Sequence, residues 1–294
     1  MTCSEKCTND VHHITKEKLP YTICKSGKYI MSSNLNFKPK YSGVNAITIK
    51  PGVKNVVIDF CQYTLSMCSK STTSDNFGIL IGENCSNIII ENGTISGFSA
   101  SQIRGYTNLD TIIVRNMILQ GISQANGGQR LSNELISSGF NVGPVNEVQD
   151  FVPHPELVSN NIFLTNVKIR DFYISNLTVP DQTIWAVTLF YANNVQLENV
   201  NVENLMNTGL LQAPGGNATL AFGFYLSTNC ISRYCTGNDI KSSSPDFEGD
   251  VTGDAAGVNY LICDRVENYN CSFNNNIGTR RGEGIVWIGT SNFV

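Results

Sequence analysis

One unit recurs along this chain: a short run of alternating apolar residues, an Asn, and a second short run. "NIIIENGTISGF" (Asn87–Phe98) shows it first, and "TIIVRNMILQG" (Thr111–Gly121), "NIFLTNVKIRDF" (Asn161–Phe172), "NVQLENVNVENL" (Asn194–Leu205) and "RVENYNCSFNNN" (Arg265–Asn276) repeat it. β-branched residues and Asn-Gly disfavour a helix. Asn-Gly alone could close a hairpin. Five copies, with the Asn at 92, 116, 166, 199 and 270, indicate instead that the chain turns a corner there and continues. A weaker copy, "NCISRYCTGND", puts Tyr234 or Cys235 at the Asn position. Asn92 and Asn116 are 24 residues apart, and Asn166 and Asn199 are 33 apart. The 50-residue gap from Asn116 to Asn166 must hold an insertion.

A strand–Asn–strand repeat of this length predicts a parallel β-solenoid, one coil per repeat, with strands about 4.8 Å apart from coil to coil. The expectation is an all-β chain of about seven to eight coils over 43–294, preceded by a cap over 1–42. The Asn side chains are expected to stack at an inward bend, each bonded to backbone or to its neighbour. Most coils divide into three strands. First strands read "FGILIG", "SQIRGYT", "TIWAVTLFY", "AFGFYLS" and "GVNYLIC". Links from first to second strand read as short. Length variation falls mainly after the third strand, in "SKSTTSDN", Ile122–Val158, "NTGLLQAPGGNATL" and "SSSPDFEGDVTGDAA". Insertions at one corner would stack on one side and wall a groove over the first strands. The final coil, from "EGIVWIG", stops before its third strand, so the chain is expected to continue or to be covered by a partner or second copy.

Composition removes some function classes. Hydrophobic residues are 41% of the 294, enough for one large core, and charged residues are only 15%. A formal net charge of −4 without a basic stripe argues against a nucleic-acid binder. No apolar run approaches the length of a membrane span. The start, "MTCSEKCTNDVHHITKEK", has no apolar signal core. It fits a chain cytoplasmic as synthesised, a virion-associated one, or a mature form with an added Met. In that setting the ten Cys read as free thiols. Cys235 and Cys271 align one coil apart, within disulfide reach, and read as an unbonded thiol stack. Cys3 and Cys7 with His12 and His13 give a faint zinc pattern beside the simpler reading of an unstructured terminus.

The coil pattern, an Ile-rich first strand, a polar turn, then Val-x-Ile-x-Asn, resembles the repeat of pectate-lyase-like parallel β-helix proteins. The entry "SGKYIMSSNL…AITIKPGVKNVVIDF" is similar too, and the likeness runs from about Gly27 to the C-terminus. It implies a single-stranded right-handed β-helix, with handedness supplied by the resemblance. That superfamily includes polysaccharide lyases, polygalacturonases, epimerases, phage tailspikes and proteins of large DNA viruses. The resemblance implies a polysaccharide or glycan ligand along the groove, without fixing an activity.

The catalytic motifs of polygalacturonase-like members are not intact here. "GND" (Gly237–Asp239) matches half of their paired-Asp motif, and no His follows in the next coil. The best carboxylate cluster is Asp246, Glu248, Asp250 and Asp254, with Asp239 on the preceding strand and Arg280 and Arg281 one coil later. Calcium-assisted lyase chemistry needs clustered carboxylates and a base, so Asp239, Asp250 and Arg281 are the catalytic candidates, with Ca²⁺ a candidate cofactor. Asp246, Glu248, Asp254 and Arg280 join them as substrate contacts. The alternative is a solvated acidic loop beside a charged corner. His154, between two prolines, is a candidate base or contact, or an ordinary surface His. Phe224, Tyr260 and Trp287 align on the inward face, leaving outward Tyr225 as the aromatic contact candidate. Three function classes remain: a carbohydrate-active enzyme, a non-catalytic glycan-binding module, and a structural or surface protein.

Overall fold

A computed structural model describes residues 11–39, 43–67, 76–98, 100–121, 136–143, 154–175, 183–208, 219–242, 254–278 and 281–293. Nearly every described element is a strand, and the strands form two parallel sheets that the chain visits alternately. Among the described residues the first-strand sheet has nine strands: Tyr21–Ile23, Ile47–Ile49, Phe77–Ile81, Ser101–Gly105, Ile136–Val142, Thr183–Phe190, Thr219–Tyr225, Asp254–Leu261 and Arg281–Ile288. The other, bent sheet carries second and third strands together, including Ser86–Ser96, Asp110–Gln120, Ser159–Ser175 and Ala192–Thr208. The protein is a parallel β-helix. No helix among the described residues is long and apolar enough to cross a membrane.

Alternation explains the core. Ile88, Ile112, Ile162, Val195, Cys230 and Val266 sit in register on successive coils, and all are buried. Fixed inter-strand spacing stacks like on like, which is why the same apolar type recurs at each coil position. Phe224 and Tyr260 stack inside as expected, with centroids 4.9 Å apart. Trp287 follows Tyr260 in register and is 54% exposed in the last coil, where Ile285 and Ile288 are exposed too.

The Asn corner works as read from the sequence. Asn92, Asn116, Asn166 and Asn199 take left-handed φ values between 52° and 63°, and the strand continues through each. Asn116 Nδ2 donates to Asn92 Oδ1 at 3.2 Å, Asn166 to Asn116 at 3.2 Å, and Asn199 to Asn166 at 2.8 Å. In the earlier coil Asp59 Oδ1 accepts from Asn92, and in the later one Tyr234, not Cys235, takes the bend with φ 54°. One expectation fails: the ladder does not point inward. Asn116, Asn166 and Asn199 are exposed. A left-handed residue breaks the alternation, so two successive side chains face solvent (Arg115 and Asn116, Glu198 and Asn199) and both flanking strands keep their apolar side inside. The energetics change accordingly. Asn116→Ala is expected to cost about 1–2 kcal/mol through left-handed strain rather than through buried unpaired groups. Asn116→Gly, which removes the same hydrogen bonds without the strain, is expected to cost less in urea unfolding. Equal losses would refute the strain account.

Three further features depart from expectation. Residues 122–158 are not one loop: Ile136–Val142 is the first strand of that coil, paired with Ser101–Gly105 and Thr183–Phe190. The apolar signal there is short, because in "ISSGFNV" three small residues, Ser137, Ser138 and Gly139, separate Ile136 from the alternating Phe140 and Val142. As a result the link from Val142 to Ser159 is a long one between a first and a second strand, contrary to the rule of short links. Finally, strands Val11–Ile14, Tyr21–Ile23, Gly27–Met31 and Leu35–Phe37 lie in parallel register with the coils, so the stretch expected as a cap supplies rungs of the same sheets.

Candidate functional site on the outer face of the first-strand sheet

The outer face of the first-strand sheet is set by the same alternation. Ile103, Phe140, Val142, Val187, Leu189, Val258 and Tyr260 belong to the core, so Arg104, Asn141, Thr188 and Asn259 face away from it. Register lines these four up with Gly223 between Thr188 and Asn259. Although they point outward, Arg104, Asn141 and Thr188 are almost without solvent exposure, and Asn259 is half-buried. Arg104 lies over the Tyr106 ring at 5.7 Å.

An aromatic cluster flanks this polar row. Tyr225 stacks on Trp185 with centroids 4.9 Å apart and on Phe190 at 4.7 Å. Trp185 and Phe190 lie outside the core, and Tyr225 is buried outside its main cluster. Gly223 makes room for the cluster: a Cβ there would lie 2.9 Å from the Tyr225 ring. Asn259 Nδ2 approaches the Tyr225 hydroxyl at 3.5 Å. Tyr225 therefore faces outward as expected, but it is only 4% exposed and is not itself an open contact surface. Trp185 and Phe190, which sequence reading passed over, are the half-buried rings beside it. In "TIWAVTLF" alternation sends Phe190 outward, opposite to Val187 and Leu189, whereas Trp185 shares their parity and points out because Ala186 and Val187 both face inward and break the alternation.

Among the described residues, three buried polar atoms on this face have no hydrogen-bond partner: Asn141 Oδ1, Trp185 Nε1 and Asn259 Oδ1. Buried polar groups are normally paired, and each orphan costs on the order of 1–3 kcal/mol. All three lie on one face of the sheet, with Asn141 and Asn259 three coils apart.

The carboxylate–arginine candidates fare differently. Asp254 and Arg281 are opposite one another on adjacent strands, so this part of the expected juxtaposition is made by the main chain. Asp246, Glu248, Asp250 and Arg280 lie outside the described residues, as do most of the expected groove-walling insertions. Asp239 stands elsewhere. It takes a left-handed bend within the third strand Thr236–Ser242, φ 57°, and its Oδ1 accepts from Asn275 Nδ2 one coil on. Asp171 and Asn204 make the same contact two coils earlier, with Asn204 Nδ2 donating to Asp171 at 2.7 Å, so Asp239 continues a structural ladder. His154 caps the short turn Pro155–Leu157. Its Nδ1 is 3.0 Å from Glu156 Oε1, and its ring meets Tyr191 edge-on at 5.8 Å. Backbone hydrogen bonding and His154 hold the Glu156 carboxyl below its usual range.

Among the described residues no group of three or more His, Cys, Asp or Glu side chains is arranged to hold a metal ion. Cys3 and Cys7 fall outside the described residues, and His12 stacks on Tyr29 at 4.8 Å. No protein-family model matches the chain, and no curated protein matches its sequence.

Proposed function

We propose that this β-helix binds a polysaccharide or other glycan on the outer face of its first-strand sheet. The observation that carries the reading is the pairing of the Trp185–Tyr225–Phe190 stack with the orphaned polar atoms of Asn141, Trp185 and Asn259. Sugars present apolar C–H faces and hydroxyl edges, and a binding site for them combines flat rings with oriented donors and acceptors. The resemblance to pectate-lyase-like proteins, a right-handed family with mostly polysaccharide ligands, supports the same reading. Catalysis, as lyase, hydrolase or epimerase, would rest on the Asp254–Arg281 side of this sheet with Asp250 and its loop, and Ca²⁺ is the cofactor such chemistry would draw on. The alternative is a structural or surface β-helix, favoured by the stacked polar ladders that build a rigid rod regardless of any site.

A glycan array combined with a reducing-end release assay tests the proposal. Binding to at least one glycan is expected, weakened roughly tenfold or more in Trp185→Ala/Phe190→Ala. Both side chains lie outside the core, so the melting temperature is expected to move little. Release of new reducing ends would assign catalysis. Neither binding nor release across the array would overturn the glycan reading and leave the structural one.

A further inference from the structure

The inside of the third-strand corner carries a row in register across coils: Met117, Val167, Val200, Cys235 and Cys271. Apolar residues give way to two thiols at its end. Cys235 and Cys271 each follow a left-handed residue, Tyr234 at φ 54° and Asn270 at φ 52°, so the two enter the interior the same way. The ladder ties them together, with Ser272 N donating to Cys235 O at 2.9 Å. Adjacent parallel strands are about 4.8 Å apart, inside the Cα separation a disulfide spans. Both thiols are free.

The pair is asymmetric. Cys235 is 1% exposed, whereas Cys271 is half-buried at the edge of the core. Sγ of Cys235 approaches the carbonyls of Arg233 at 3.4 Å and Leu197 at 3.6 Å. Sγ of Cys271 approaches those of Ser232 and Tyr269, both at 3.5 Å. The two thiols also share a hydrogen bond, in which the Cys235 S–H favours the thiolate of Cys271 and lowers its pKa to about 7, against the opposing effect of burial. The same bond, together with burial, pushes Cys235 far upward. One sulfur is therefore accessible and nucleophilic, and its neighbour one coil away is buried and protonated.

We infer that Cys235 and Cys271 form a two-thiol redox site, in which Cys271 reacts with a small-molecule disulfide and Cys235 resolves the product. The Cys271 thiolate attacks one sulfur of R–S–S–R, forming Cys271–S–S–R and expelling RS⁻. The Cys235 thiol passes its proton to that RS⁻, and its sulfur then attacks the Cys271 sulfur. The Cys235–Cys271 disulfide forms, and the second R–S group leaves as thiolate. The two protein thiols are oxidised by two electrons and the small disulfide is reduced to two thiols. The bridge would staple two successive coils across a contact now made only by the ladder and by packing.

The test compares Cys271 with Cys61, an exposed thiol whose pKa is raised by partial burial and by the Asp59 carboxylate. Exposure alone ranks Cys61 as the faster to react. Competitive labelling of the full chain with isotope-coded iodoacetamide at pH 7 is expected to modify Cys271 roughly three- to tenfold faster per thiol. Incubation with glutathione disulfide, followed by peptide mapping without reductant, is expected to recover a Cys235–Cys271 cross-link and a higher melting temperature. Cys271→Ser is expected to lose both and leave Cys61 labelling unchanged. Faster labelling of Cys61 would overturn the activation of Cys271. A mixed disulfide at Cys271 that persists without closing onto Cys235 would overturn the resolving role. Both readouts on the unaltered chain stand even if the variant fails to fold.

Discussion

Gly78→Val is expected to lower the unfolding free energy by about 3 kcal/mol or more, enough to prevent recovery of folded protein. Gly78 sits near the start of its first strand, at the corner where that strand comes closest to a third strand. A Cβ at this position would lie 2.5 Å from the Gln102 carbonyl oxygen and 2.6 Å from Ile95 Cγ2. The carbonyl is fixed by its place between two coils, so the strand itself would have to move. In register with Gly78 stand Gln102, Gly139, Ala186, Ala221, Gly257 and Gly284, nearly all of them small. Gly139 and Gly257 meet third-strand side chains in the same way, at 2.6 Å from Ile169 Cγ2 and 2.4 Å from Phe273 Cβ. Gln102 interrupts the row because its amide bonds the Phe98 backbone in both directions, donating to Phe98 O at 3.0 Å and accepting from Phe98 N at 3.3 Å. Gly284 supplies the control. Its nearest neighbour would be Phe273 O at 3.8 Å, an ordinary contact, so Gly284→Ala is expected to be near neutral. If Gly78→Val and Gly284→Ala unfold at the same urea concentration, the tight corner has no energetic role.

Phe140→Ala is expected to cost about 3–5 kcal/mol, the sum of lost transfer energy and an uncollapsed cavity. The ring is fully buried, in register between Ile103 on the preceding coil and Val187 on the next. Those neighbours cannot close the gap, because ladder hydrogen bonds hold the coils at a fixed separation. Phe140→Leu should recover most of the loss. The pair of variants also tests whether Ile136–Val142 is a rung: in a surface loop, Phe140→Ala would cost well under 1 kcal/mol. Urea unfolding with a check that the m-value is unchanged decides the matter.

The legibility of this chain follows from how each feature is encoded. The Asn corners were readable because a left-handed bend between strands suits few residue types, and Asn is the one whose amide also reaches its copy on the next coil. Tyr191, Leu226 and Ile262 adopt the same conformation at the end of the first strands, with φ between 50° and 53°. Nothing in their chemistry announces it. Their backbone N–H groups donate to the next coil, Ile262 N to Ile288 O at 2.8 Å, so the ladder holds the bend where the side chain disfavours it. Residues 136–142 were missed because Ser137, Ser138 and Gly139 leave only Phe140 and Val142 in alternation, too short a run to announce a strand without its pairing on both sides.

The candidate site was legible in placement and not in membership. Outward alternation located Tyr225 on the correct face, yet its burial under Trp185 and Phe190 arises from rings on a different coil. Asp239 looked like a catalytic carboxylate in "GND", and its bend position gives it a ladder partner instead. By itself the sequence determined the repeat, the corners and which way most strand residues away from the bends face, because a period of two and an Asn at a fixed offset are local properties of the chain. Tertiary structure alone decided which outward side chains are sheltered, which thiols meet and which corners are too narrow for a Cβ. Those depend on the register between coils 24 to 50 residues apart, and insertions of unequal length leave that register unreadable until the coils are stacked.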